Sequence, residues 1–228
     1  MLRTYMVPIN RAGWPFIAIF AILAVVGASY SQPLGWIGFL VTAWSIYFFR
    51  DPERVTPARE GLVISPADGL VQTVGRSTPP PELGLPDVPY NRVSIFMDVF
   101  DVHVNRIPIA GRVTASHYRP GKFVNAALDK ASEHNERHSV ALLTPDGVRI
   151  GVVQIAGLVA RRISCDLHEN QDVRTGQRYG LIRFGSRLDV FLPAEIAIMV
   201  APGQHAYAGE TVLADLRSTE SSRTGEYR

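Results

Sequence analysis

The residues of this chain that could do chemistry are six histidines, one cysteine and a Gly-Ser step inside an apolar run. None of the histidines has the H-E-x-x-H spacing of a helical zinc site. His134 and His138 are four apart and could share a helix face, but Glu136 and Arg137 between them do not complete that motif. They read as a surface pair at a helix end. Cys165 stands alone, so it forms no internal disulfide and cannot by itself build a thiolate metal site. A lone thiol is compatible with a reducing compartment. The chain has no G-x-S-x-G elbow, no phosphate-binding Gly-rich loop and no dinucleotide fingerprint. What remains is Phe184-Gly185-Ser186-Arg187, which interrupts the run LIRFGSRLDVFL. A glycine within a strand pattern marks a bulge or a close backbone approach, and the serine after it presents a hydroxyl.

The elements that would position these groups follow from composition. The chain has 228 residues, enough for one compact domain and an appendage. Lys plus Arg number 23 against 21 Asp plus Glu, a net charge of +2, with only 19% charged residues. That balance argues against a disordered tail protein and against a dedicated nucleic-acid binder. A mean hydropathy of +0.07 is high for a soluble enzyme, and the excess lies at the front. Two uncharged runs, Trp14 to Ala28 and Leu34 to Phe49, flank Ser31-Gln32-Pro33. Each is about 16 residues, roughly 24 Å as a helix, against a hydrocarbon core of about 30 Å. Both are apolar all round rather than on one stripe, which points to a membrane hairpin over residues 1–50, spanning or re-entrant. A buried hairpin in a soluble domain is the alternative. A cleaved signal peptide fits less well, because the second run comes at once and no Ala-x-Ala site divides them. Arg3, Arg11, Arg50 and Arg54 flank the pair, so the positive-inside rule puts the rest of the chain on the cytoplasmic side.

From residue 51 to 216 the texture is that of short Val- and Ile-rich stretches separated by turn residues. The fold class expected is mainly β (α+β): an antiparallel β domain with hammerhead or barrel-like units behind the helical hairpin. Asp68-Gly69 and Asp146-Gly147 are hairpin-grade turns, the second between Val140–Thr144 and Val148–Ala156. Asn125 to Arg137 reads as the domain's helix. Asn170–Gln177 and Pro202–Glu210 share a turn grammar that resembles the hammerhead units of biotinyl and lipoyl carrier domains, but no carrier lysine sits at a tip. Residues 217–228 are polar and read as a disordered tail.

Five stretches in order carry a more specific signal. They are Ser65-Pro66-Ala67-Asp68-Gly69, Asp101 through Pro108, Tyr118 through Phe123, Gly151 through Arg162, and Phe184-Gly185-Ser186-Arg187. Together they make the chain, from about residue 50 to 212, resemble the short bacterial and archaeal-type phosphatidylserine decarboxylases.

The resemblance implies a proenzyme that cuts itself between Gly185 and Ser186. Ser186 would attack the Gly185 carbonyl, and elimination and hydrolysis would leave a pyruvoyl group at position 186. The products would be an associated β chain, 1–185, and α chain, 186–228. By the same resemblance His103 is the base and Asp68 the residue that fixes its tautomer. The pyruvoyl carbonyl would form a Schiff base with the amine of phosphatidylserine in the membrane, and His103 would return a proton after CO₂ leaves. No metal and no separate cofactor are implied. Lys122, Arg161, Arg162 and Arg183 are candidates for the lipid's anionic groups. The longer bacterial form has a second histidine where this chain has Arg106, which leaves open whether His103 serves both steps. The expected location is the inner membrane with the catalytic domain on its cytoplasmic side, and self-association is left open. The alternative from another class is a membrane-tethered hammerhead adaptor without catalysis.

Overall fold

The computed structural model describes residues 7–123, 134–157, 162–183 and 185–226. They divide into two compact units between Glu53 and Arg54. The first is a pair of helices, α1 (Trp14–Tyr30) and α2 (Gln32–Phe48), joined by the extended Ser31. Each opens with a proline at its first or second position, where the missing N–H costs nothing. Small residues let the helices approach. A Cβ on Gly38 would lie 2.5 Å from the Ala24 Cα, and one on Gly35 would lie 2.7 Å from the Ala28 Cβ. The apolar bulk therefore points outward: Ile19, Ile22, Val25, Trp36, Phe39 and Leu40 are all exposed. At the open end the Asn10 N–H donates to the Phe49 carbonyl at 2.8 Å and the Asp51 N–H to the Pro8 carbonyl at 2.7 Å. Chain entry and exit thus lie side by side. Among the described residues one helix, Arg11–Tyr30, is long and apolar enough to cross a membrane, with a mean hydropathy of 2.0.

The second unit is built of antiparallel strands, as expected from its short β-rich stretches. In chain order they are β1 (Leu62–Ile64), β2 (Gly69–Ser77), β3 (Tyr90–Met97), β4 (Val104–Arg106), β5 (Gly111–Arg119), β6 (Arg137–Leu143) and β7 (Arg149–Ala156). They continue as β8 (Ile163–Cys165), β9 (Asp172–Val173), β10 (Arg178–Ile182), β11 (Ser186–Leu192), β12 (His205–Ala206) and β13 (Val212–Asp215). Eight of them form one sheet, ordered β12-β2-β3-β11-β7-β6-β5-β9, which curls like half a barrel. A three-stranded sheet, β4-β10-β8, and the pair β1-β13 complete the unit. β11 lies inside the large sheet, and all seven of its residues are buried. Its alternation sends Leu188, Val190 and Leu192 to the main core with Val93, Ile95, Met97 and Val152, while Phe191 joins a smaller cluster with Leu83, Val153 and Ile155.

The β6–β7 hairpin turns at Thr144–Gly147, with Gly147 at φ +80 as the Asp-Gly pair leads one to expect. Asp68-Gly69 is not a hairpin turn. β1 before it pairs with β13, and β2 after it pairs with β3 and β12. The expected helix over 125–137 lies mostly outside the described residues, but its last residue opens β6, and Asn135 bridges to Lys122. Asn135, Glu136 and Arg137 are buried polar residues, a pattern that periodicity cannot separate from an exposed helix end. His138 is consequently a strand residue, its Nε2 3.0 Å from the Ser116 hydroxyl, and not half of a helical surface pair. The two repeated turns do have matching surroundings. Gly176 and Gly209, at φ +78 and +81, donate their N–H groups to the Ile107 and Ser65 carbonyls. The polar tail, expected to be free, is tied at Ile198. That residue accepts the Arg223 N–H at 2.8 Å and donates to the Ser222 hydroxyl at 3.0 Å.

Candidate active site

The antiparallel register places Ser186, the first residue of β11, opposite Met97, the last of β3, and opposite Ala156 of β7. Beyond Met97 the chain turns through Asp98–Asp101 and comes back as β4. This turn returns His103 to the start of β11, where its Nε2 accepts the Gly185 N–H at 3.3 Å. Its other nitrogen, Nδ1, lies 3.0 Å from the Asp101 carbonyl oxygen. A carbonyl only accepts, so Nδ1 carries the hydrogen and Nε2 turns a lone pair toward the Gly185–Ser186 segment.

Ser186 and His103 are both fully buried. The Ser186 hydroxyl makes no hydrogen bond among the described residues, although a buried hydroxyl normally finds a partner. Gly185 sits at φ +66, in the left-handed region that glycine enters without penalty. A buried, unpartnered hydroxyl therefore follows a bend in the main chain that a histidine lone pair faces. Such an arrangement can carry out attack of the hydroxyl on its own preceding carbonyl, with the imidazole taking the proton.

Asp68 is buried at 4% exposure. Its Oδ2 pairs with Arg54 at 2.6 Å and its Oδ1 accepts the Ala208 N–H at 2.7 Å. Burial pushes its carboxyl above the ordinary range, opposed by the Ala208 N–H and the Arg54 guanidinium. Nδ1 of His103 meets the Asp101 carbonyl, while the Asp68 carboxylate, expected to fix the His103 tautomer, meets Arg54 and the Ala208 N–H. The strand motif around His103 contained Asp101, but a sequence cannot show which part of an aspartate is used. Gly69 explains why Asp68 is followed by glycine: at φ +146, a Cβ there would lie 2.2 Å from the Phe96 carbonyl oxygen.

Arg106, at the second-histidine position, is buried and donates to the Gly176 carbonyl at 3.0 Å. It packs beside Gly209, so it braces the two repeated turns. Arg162 and Arg183 come together, with the Arg183 N–H on the Arg162 carbonyl at 3.3 Å. Burial first, and then the Arg162 charge, pushes the Arg183 guanidinium below its ordinary value. Lys122 is exposed and is bridged to Asn135. Arg161 lies outside the described residues. Sequence reasoning missed a buried amide pair beneath the site, in which Gln154 Nε2 donates to Asn105 Oδ1 at 2.8 Å. The available signal was Gln154 within the apolar run of β7 and Asn105 between Val104 and Arg106 on β4.

The sequence model of the family described as phosphatidylserine decarboxylase matches residues 41–214. The chain belongs to the phosphatidylserine decarboxylase family. A relative from Paramagnetospirillum magneticum, named phosphatidylserine decarboxylase proenzyme, is 60% identical over 97% of this chain and 92% of its own length. Proenzymes of the same name from Cereibacter sphaeroides and Ruegeria pomeroyi are 57% and 58% identical. They cover 100% and 95% of this chain, and 98% and 99% of their own lengths. The short proenzyme type expected from the five stretches is thus found over nearly the whole chain, and this enzyme family leaves the adaptor reading without support. The family match takes in both sides of the Gly185–Ser186 bond.

Proposed function

We propose that this chain is a self-cleaving, membrane-attached decarboxylase of phosphatidylserine. The observation that carries the reading is the Ser186 hydroxyl, buried and without a hydrogen-bond partner among the described residues, beside a left-handed Gly185 whose N–H rests on the His103 lone pair. In the first step the Ser186 oxygen bonds to the Gly185 carbonyl carbon as the peptide C–N bond breaks. His103 takes the hydroxyl proton and returns it to the departing nitrogen. Loss of the Ser186 Cα proton then breaks the ester C–O bond, leaving a Gly185 carboxylate and a dehydroalanine. Water hydrolyses the latter, releasing ammonia and leaving a pyruvoyl group at position 186. That group would supply the electron sink for decarboxylation of a bound aminophospholipid.

The surroundings fit such a group. Position 186 is held by β3 and β7 on either side, and its shelter from bulk water favours an electron-poor carbonyl. Arg183, just before the cut, and Arg162, whose carbonyl accepts its N–H, offer two positive charges to the phosphate and carboxylate of the lipid. His103 is placed to return a proton to the substrate carbon. Arg106 donates to the Gly176 carbonyl, which supports His103 as the residue for both steps. The helical hairpin would hold the enzyme at the bilayer, on the cytoplasmic side by its flanking arginines.

Intact-mass measurement tests the central step. Purified protein should contain two chains divided at 185/186, the shorter one starting with a blocked, carbonyl-bearing residue. Ser186→Ala should remain a single uncleaved chain with no decarboxylase activity. An active preparation containing only full-length chain would overturn the proposal.

A further inference from the structure

The carboxylate of Asp101 is gripped from two sides. Its Oδ2 accepts the Asp98 N–H at 2.9 Å, and its Oδ1 lies 3.0 Å from Nε2 of His205 at the start of β12. In the same turn the Asp101 N–H donates to the Asp98 carbonyl at 3.2 Å, and the Phe100 N–H to Asp98 Oδ1 at 2.6 Å. The Asp101 main chain therefore has little freedom, and it bears the carbonyl that accepts Nδ1–H of His103. His205 is 44% exposed and Asp101 14%. A pair this open to water adds little to fold stability, so stability is a poor account of why the carboxylate is held there.

We infer that Asp101, clamped through its carboxylate by His205, is a positioning residue that holds His103 in the tautomer whose lone pair is on Nε2. The inference rests on His103 being the base of self-cleavage. An unconstrained neutral imidazole divides between two tautomers, and only one can accept a proton at Nε2. Both neutral His205 with hydrogen on Nε2 and its protonated form donate to Asp101, so the clamp does not need a charge change. Asp101 precedes the Gly185–Ser186 bond and His205 follows it. The two mature chains would then each supply one half of the clamp.

The test uses full-length chain with ¹⁵N-labelled histidine and Ser186→Ala to prevent cleavage. His103 should show a single Nδ1–H tautomer in its nitrogen chemical shifts. Adding His205→Ala or Asp101→Ala should give a tautomer mixture. Adding His205→Gln should restore the single form, because its amide N–H reaches the same oxygen. With Ser186 intact, His205→Ala and Asp101→Ala should each slow cleavage about tenfold, a fraction of what a general base contributes. His205→Gln should cleave at the native rate, and the double variant no more slowly than Asp101→Ala alone. The exposed position of His205 lets its variants fold even if Asp101→Ala does not. An unchanged tautomer, an unchanged cleavage rate, or His205→Gln as slow as His205→Ala would overturn the inference. If the native chain itself never cleaved, the self-cleavage reading would fail, and the tautomer measurement would still decide the clamp.

Discussion

Gly185 and Gly69 both adopt positive φ, yet they answer different demands. Around Gly185 a Cβ would meet nothing within 4 Å, whereas at Gly69 it would collide with the Phe96 carbonyl at 2.2 Å. Gly185→Ala therefore carries only the left-handed backbone penalty, about 1–2 kcal/mol. It should fold and cleave more slowly, by roughly tenfold if that penalty falls on the reactive bend. Gly69→Ala has no such escape, since backbone must move within β3, and it should fail to accumulate as folded protein. Circular dichroism with a cleavage time course separates the two outcomes; equal behaviour would sink this distinction. The half-buried Cys165 belongs to the residue scale as well. Burial pushes its thiol up to about 11, in keeping with an unreactive sulfur packed against the core.

At the scale of elements, the position of β11 has a direct consequence for the proposed cut at its first residue. It makes seven register pairs with β3 and six with β7. The other strands after the cut, β12 and β13, pair with β2 and β1. Every strand of the short chain is thus hydrogen-bonded to a strand of the long one. The cleaved protein should remain one particle in native mass spectrometry and separate only in denaturant. Spontaneous loss of the short chain from native protein would contradict this topology. The strand runs and the β6–β7 turn could be read from Val and Ile alternation and from Pro145-Asp146-Gly147. Asp68-Gly69 misled because its turn chemistry serves a close approach to β3 and not a hairpin. Residues 135–137 misled because Asn135 spends its amide on the Ala156 carbonyl inside the sheet.

For the whole molecule, the relevant balance is between an apolar hairpin and a well-packed β unit. None of the residues of α1 is buried, and its large side chains Ile19, Ile22, Leu23 and Val25 stand exposed. The full chain should co-float with phospholipid vesicles. Ile22→Lys combined with Leu40→Lys places charges on two exposed apolar positions, each costing about 3 kcal/mol at a bilayer centre. That variant should shift to the soluble fraction with its β unit intact. Vesicle binding equal to that of the native chain would count against the hairpin as the membrane anchor.

The sequence alone determined the two apolar runs, the β character of residues 51–216, and the Gly185-Ser186 step with its five ordered stretches. These are local signals, carried by composition, alternation and glycine placement. Only the tertiary structure decided which groups meet. His103 is 82 residues from Gly185 in the chain and is delivered by the turn after the strand paired with Ser186. His205 reaches Asp101 across 104 residues. The different contacts of Asp68 and Asp101 were set the same way. Both are aspartates in matching motifs, but one spends its carboxylate on Arg54 and Ala208 while the other offers a main-chain carbonyl to His103. Sheet register sets such contacts, and register depends on every strand at once.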